Sequence, residues 1–104
     1  MNSLRVIVAD DEPLLVEELC TYLHDAGHEV VATANCGKTL REKSLELKPD
    51  LIVSDIKMPG MDGIDAVAEI NKEFPVPVLI VSAYHDDQFI ERAAQHCIMT
   101  YLVK

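Results

Sequence analysis

The chain has 104 residues, 49% of them hydrophobic and 26% charged, with a formal net charge of -9. That suits one ordinary soluble folding unit with a core of its own, and so acidic a surface disfavours direct binding to nucleic-acid phosphates. No apolar run approaches the ~20 residues a bilayer span needs, and the start "MNSLRVIVADDE" brings acids before any cleavage-type site. The expectation is a single cytoplasmic domain over residues 1–104, with no membrane contact.

The elements alternate short β-branched runs with amphipathic stretches. A first strand is expected over Arg5–Ala9, running into Asp10-Asp11. Pro13 then suits a first helical turn. Leu15, Leu19, Tyr22, Leu23 and Ala26 trace a helical stripe, and Gly27 stops it. A second strand, Glu29–Ala34, precedes a weaker helix over Leu40–Leu47 that Pro49 ends. The third strand, Leu51–Ser54, runs straight into Asp55. Ile64, Val67, Ala68, Asn71 and Phe74 mark a third helix, stopped by Pro75. Val76–Ser82 reads as the fourth strand. Phe89, Ile90, Ala93, Ala94 and Cys97 mark a fourth helix with Asp86 as its cap. Met99–Val103 is the fifth strand, followed by Lys104.

The strands are nearly continuous in Val, Ile and Leu, which signals cover on both faces. The order βαβαβαβαβ implies right-handed crossovers and a parallel sheet with helices on both sides. Five strands in this pattern fit the α/β flavodoxin-like, doubly wound order 2-1-3-4-5. Full cover calls for one more helix after Lys104, so the expectation is a chain that stops short of that helix.

Three cysteines, Cys20, Cys36 and Cys97, form no C-x-x-C pair. Buried or inert free thiols in a reducing compartment are expected. His24 and His28 stand four apart, but Gly27 between them breaks the helix that a shared metal would need.

In open sheets of this type, ligands bind beyond the carboxyl ends of the strands, where strand order reverses. Here that point lies between strands 1 and 3. Strand 1 ends in Asp10-Asp11, strand 3 in Ser54-Asp55, strand 4 in Ser82-Ala83 and strand 5 in Lys104. Each has a plain alternative: Asp11 a helix cap, Asp10 a solvated loop acid, Asp55 a turn cap, Ser82 a strand-end hydroxyl, Lys104 a loose charge. Their coincidence on one edge favours a common site. Crowded carboxylates repel, and protonation or a cation relieves that. A hard divalent ion such as Mg2+ (or Mn2+) suits oxygen donors, and no Cys/His cluster points to zinc. A carboxylate beside such an ion and a lysine is a competent nucleophile toward a phosphoryl group.

The segments "VIVADDEP", "PDLIVSDIKMPGMDG", "PVLIVSAY" and "TYLVK" resemble the receiver (phosphoacceptor) domain of two-component response regulators, across essentially the whole chain. The resemblance implies that Asp55 is the phosphoacceptor and that Asp11 and Asp55 ligate Mg2+ directly, Asp10 mainly through water. It implies the main-chain carbonyl of Lys57 as a further ligand, Ser82 turning to the phosphoryl group, Ala83 offering a backbone N–H and Lys104 pairing with phosphoryl oxygens. Tyr101 matches the aromatic switch residue. The implied donor is a sensor histidine kinase or phosphotransfer protein. The implied readout surface is the helix 4–strand 5 face, near Tyr84, Ile90, His96 and Tyr101, acting on an output domain or partner, with a dimer left open. The domain would act only on itself and is not expected to be an enzyme. "SAYHDDQFIERAAQHCIMTYLVK" resembles receivers of the antitermination (AmiR/NasR-like) type, and so implies output in transcription or antitermination.

Cys97 departs from the family, which often has Gly there, and Lys57 and Tyr84 occupy positions that tune phosphoryl lifetime. Three rival readings remain: a pseudo-receiver, an aspartyl-phosphate phosphatase and an FMN binder. The intact set Asp10, Asp11, Asp55, Ser82 and Lys104 opposes the first. Lys57, standing where the second needs an acid, opposes it. The third lacks a phosphate-cradling loop after strand 1.

Overall fold

A computed structural model describes residues 3–82 and 100–103, with Ser82 and residues 100–103 described by their main chain. Five strands form one sheet in the order β2-β1-β3-β4-β5, every neighbouring pair parallel. They are β1 Arg5–Ala9, β2 Glu29–Ala34, β3 Leu51–Ser54, β4 Val78–Ser82 and β5 Thr100–Val103. The described helices are α1 Pro13–Asp25, α2 Gly37–Leu47 and α3 Gly63–Glu73. This is the flavodoxin-like arrangement that the alternation of elements implies. The fourth-helix stripe from Phe89 to Cys97 lies outside the described residues, as does Met99. None of the described helices is long and apolar enough to cross a membrane.

Strand alternation divides the core in two. Ile7, Ala9, Ile52, Val78 and Ile80 face α2 and α3, where they meet Leu40, Ile64, Val67 and Ile70, all essentially sealed from water. Val6, Val8 and Val53 face the other way, onto Val16, Leu19, Cys20 and Leu23 of α1. That i, i+3, i+4, i+7 seam differs from the expected stripe: Leu19 and Leu23 belong to it, but Tyr22 is 72% exposed. Tyr22 lies off the seam, so its ring is turned toward water. A register shift in the β1–β2 pair, between Val6 and Ile7, leaves Val31 without a partner across the ladder. Val31 and Ala32 therefore both pack on the α2/α3 side.

Boundaries moved where the main chain had other partners. β4 starts at Val78 rather than Val76, because Pro75 and Pro77 carry no N–H and the Val76 N–H donates to Asn71 Oδ1 at 3.1 Å. α2 starts at Gly37, three residues before the expected Leu40. Gly is a poor helix former, but a Cβ on Gly37 would stand 2.0 Å from the Met61 carbonyl oxygen. Only glycine lets α2 begin this close to the loop after β3. α3 has an ordinary start, with Asp62 at its N-cap accepting from the Asp65 N–H at 2.8 Å.

Ser44 on α2 is fully buried, and among the described residues its hydroxyl has no hydrogen-bond partner. Removing an unpaired buried hydroxyl removes its desolvation cost, and Ala is the better helix former. Ser44→Ala is therefore expected to stabilise the domain by about 1 kcal/mol, read as a higher denaturant midpoint at unchanged m-value.

Candidate metal and phosphoacceptor site

β1 and β3 are neighbours, with Ala9 opposite Ser54. The Asp55 N–H continues that ladder, donating to the Ala9 carbonyl at 2.9 Å, while the Asp10 N–H donates to Ala34 of β2 at 3.0 Å. Both main chains are thus fixed as they leave the sheet, and Asp10 and Asp55 emerge side by side. One carboxylate oxygen from each of Asp10, Asp11 and Asp55 lies within 4.8 Å of the others. Asp10 is 2% exposed and Asp55 5%, whereas Asp11 is exposed.

Local bonding separates the plain alternatives from the shared site. The α1 N-cap is Glu12, in an extended conformation and with no side-chain cap bond, so Asp11 is not the helix cap. Asp10 instead accepts the Glu12 N–H on Oδ1 at 2.9 Å, which folds the chain into α1. Asp55 Oδ1 accepts the N–H of Ile56 at 2.8 Å. The loop from Ile56 to Asp62 closes on itself where the Gly63 N–H meets the Ile56 carbonyl at 2.7 Å, and Gly60 takes φ +73 within it. Lys57 sits in this loop with an exposed side chain.

The strand ends that should complete the site are placed by main chain alone. β4 and β5 pair in parallel, with Ser82 opposite Val103 and Ile80 opposite Tyr101. Ala83 and Lys104 lie outside the described residues. So do Tyr84, Ile90 and His96, and the Ser82 and Tyr101 side chains are not described.

Sequence reasoning overlooked the neighbour on the β2 side. A cavity of about 400 Å³ opens between the starts of α1 and α2, walled by Asp10, Asp11, Thr33, Asn35 and Thr39. Asp55 is not part of that wall, so the carboxylate cluster and the cavity meet only at the Asp10-Asp11 pair. The two histidines go separate ways. His24 is exposed beside Asp25 at 3.7 Å, and His28 Nδ1 accepts the Leu4 N–H at 3.1 Å.

Cys36, like Cys20, is less deeply buried than the sequence suggests. It is half-buried at the α2 N-cap, with Sγ 3.2 Å from Thr39 Oγ1. Hydrogen bonding from the Thr39 side chain, then from its main chain, holds the thiol below its ordinary pKa, whereas burial pushes Cys20 up. The thiolate is the reactive form. Near neutral pH, Cys36 is expected to alkylate with iodoacetamide several-fold faster than Cys20, as peptide mapping of a time course would show. Equal rates would contradict this.

A family model described as the response regulator receiver domain matches residues 6–104. The transcriptional regulatory protein PdtaR of Mycobacterium tuberculosis is 39% identical over 100 residues, covering 96% of this chain and 49% of that protein. The chain thus spans about half the length of that curated relative. Among solved structures, the NarL signal receiver domain from Mycobacterium tuberculosis superposes with a TM-score of 0.92 at 32% identity, over 99% of this chain and 85% of that one. A CheY from Borrelia burgdorferi, solved in complex with CheX, BeF3 and Mg2+, gives a TM-score of 0.91 at 26% identity, over 96% of this chain and 77% of that one.

Proposed function

The chain belongs to the response regulator receiver domain family, and on that footing we propose that it is a phosphorylation switch whose acceptor is Asp55. One observation carries the reading: three carboxylates from two separate strand ends, two of them buried, converge within 4.8 Å. Burying like charges together is costly unless a cation or a proton relieves them.

The donor set suits a hard divalent ion. All three groups are carboxylates, with no thiolate or imidazole among them, which favours Mg2+ over zinc. Asp10, Asp11 and Asp55 would hold it, with the Lys57 carbonyl as the further ligand. Bound there, Mg2+ would neutralise charge on the acceptor and on the incoming phosphoryl oxygens. The Borrelia CheY structure, a complex with CheX, BeF3 and Mg2+, supports this assignment.

The chain's own residues supply position and charge. Asp55 is anchored to β1 through its N–H and has one oxygen held by Ile56, so the carboxylate meets a donor without reordering. Lys104, Ser82 and the Ala83 N–H would take the phosphoryl oxygens. The pairing of Ser82 with Val103, the residue before Lys104, supports that role. The phosphoryl group puts about 1.5 to 2 negative charges where the carboxylate had one, and the resulting shift would be read through Ser82 and Tyr101 on the helix 4–β5 face. The donor is a sensor histidine kinase or phosphotransfer protein, in the cytoplasm. The output is transcription or antitermination, which the likeness to a transcriptional regulatory protein supports. The domain performs this chemistry on itself and turns over no outside substrate.

The test is intact-mass measurement after incubation with a small acyl phosphate. With Mg2+ the chain should gain one phosphoryl group, and with excess EDTA the reaction should slow at least about a hundredfold. A gain that ignores EDTA, or none with Mg2+, would contradict the proposal.

A further inference from the structure

Ser54 interrupts an apolar run. Leu51, Ile52 and Val53 precede it, and the acceptor follows it directly. Its side chain is 1% exposed and points to the α2/α3 side, as strand alternation from Ile52 requires. The hydroxyl donates to the Asp55 carbonyl at 2.7 Å.

That carbonyl shares a peptide unit with the Ile56 N–H, and the N–H donates to Asp55 Oδ1 at 2.8 Å. A peptide unit is planar, so its two ends turn together. Ser54 therefore fixes the oxygen end of the plane whose hydrogen end grips the carboxylate. Gly63 closes the remaining side, since a Cβ there would stand 1.9 Å from the Asp55 carbonyl oxygen and 2.7 Å from Ser54 Oγ. The next peptide is tied down by Gly63 N–H to Ile56 carbonyl.

We infer that Ser54 is a positioning residue for phosphoryl transfer, setting which oxygen of Asp55 attacks. The inference rests on the acceptor reading above. Oδ1, held by Ile56, becomes the carbonyl oxygen of the acyl phosphate and keeps its hydrogen bond. Oδ2 supplies the electron pair for the new O–P bond. The bond from phosphorus to the donor's leaving group breaks, and its electron pair leaves with that group, which takes a proton from solvent if it is basic enough. The negative charge that the carboxylate gives up departs with that group, the phosphoryl oxygens keep the charge they brought, and nothing is oxidised or reduced. Without the Ser54 hydroxyl the peptide can rotate, and the carboxylate turns with it.

A role confined to satisfying a buried carbonyl would affect stability alone, so the test reads position. In Ser54→Ala the Ile56 amide proton should move upfield, because its bond to a charged acceptor weakens, while the amides of β1 stay in place. The maximal phosphorylation rate with a small acyl phosphate and Mg2+ should fall about tenfold or more, with the half-saturating donor concentration unchanged. An unmoved Ile56 amide, or a wild-type maximal rate, overturns the inference. Should Ser54→Ala fail to fold, the shape-matched pair Ser54→Thr and Ser54→Val decides: Thr should keep the rate and Val lose it, and equal rates overturn the inference. If the wild-type chain takes up no phosphoryl group, the acceptor reading fails on its own. The Ile56 amide comparison still decides whether Ser54 sets the position of that group.

Discussion

Replacing Asp55 with asparagine is expected to abolish phosphoryl incorporation while leaving the domain folded and at least as stable. An amide has the shape of the carboxylate, and its oxygen can still accept the Ile56 N–H that Asp55 Oδ1 accepts at 2.8 Å. It has no negative charge and no nucleophilic oxygen pair comparable to a carboxylate. Like charges within 4.8 Å repel by about 1 kcal/mol in water-like surroundings and about 3.5 kcal/mol at an effective dielectric of 20. Asp55→Asn relieves that repulsion toward both Asp10 and Asp11. In Mg2+-free buffer its melting temperature should therefore equal or exceed that of the wild type, and added Mg2+ should raise it less. Paired melts with and without Mg2+, run beside intact-mass assays, check both halves. A stable variant that still gains a phosphoryl group would place the acceptor elsewhere.

Gly63→Ala should cause the largest loss of stability. At most helical positions Gly→Ala stabilises by up to about 1 kcal/mol. Gly63 opens α3, but its missing side chain faces the acceptor's main chain: a Cβ would lie 1.9 Å from the Asp55 carbonyl oxygen and 3.1 Å from its carbon. Those are backbone atoms pinned by the Ala9 and Ser54 bonds, so they cannot swing away as a flexible side chain would. The helix start must move instead, breaking the 2.7 Å bond from Gly63 N–H to the Ile56 carbonyl. Overpacking of this kind costs about 1 to 3 kcal/mol, occasionally more, which lowers the melting temperature of a domain this size by about 4 to 24 °C. Gly60→Ala makes the contrast. Gly60 has φ +73 but nothing within 4 Å of an added Cβ, so only a left-handed backbone penalty of about 1 to 2 kcal/mol applies. A Gly63→Ala domain as stable as wild type, or one less affected than Gly60→Ala, would refute the packing argument.

These contacts also mark what was and was not legible in the sequence. The sheet was, because Val and Ile runs at regular spacing specify parallel strands, and three strands have the expected ends. The acid cluster was legible too, since topology alone brings the ends of β1 and β3 together. The start of α2 was hidden because Gly37 opposes helix formation locally, and a tertiary contact with Met61 overrides that preference. Asn71, which fell on the apolar stripe of α3, serves instead as an acceptor for the Val76 N–H. That bond spans the turn between two prolines and has no periodic signature. Ser54 could be read as the end of a strand, but nothing in composition or spacing aims its hydroxyl at the next carbonyl. The lowered thiol of Cys36 likewise depends on where Thr39 falls once α2 begins at Gly37.

One particular carboxylate among three near neighbours should take the phosphoryl group, and chemical trapping identifies which. The chain is phosphorylated with a small acyl phosphate and Mg2+, reduced with borohydride so that the acyl phosphate becomes an alcohol, and sequenced by tandem mass spectrometry. The account predicts homoserine at position 55 alone. Homoserine at position 10 or 11, or a phosphoryl group retained on a serine or histidine, would contradict it.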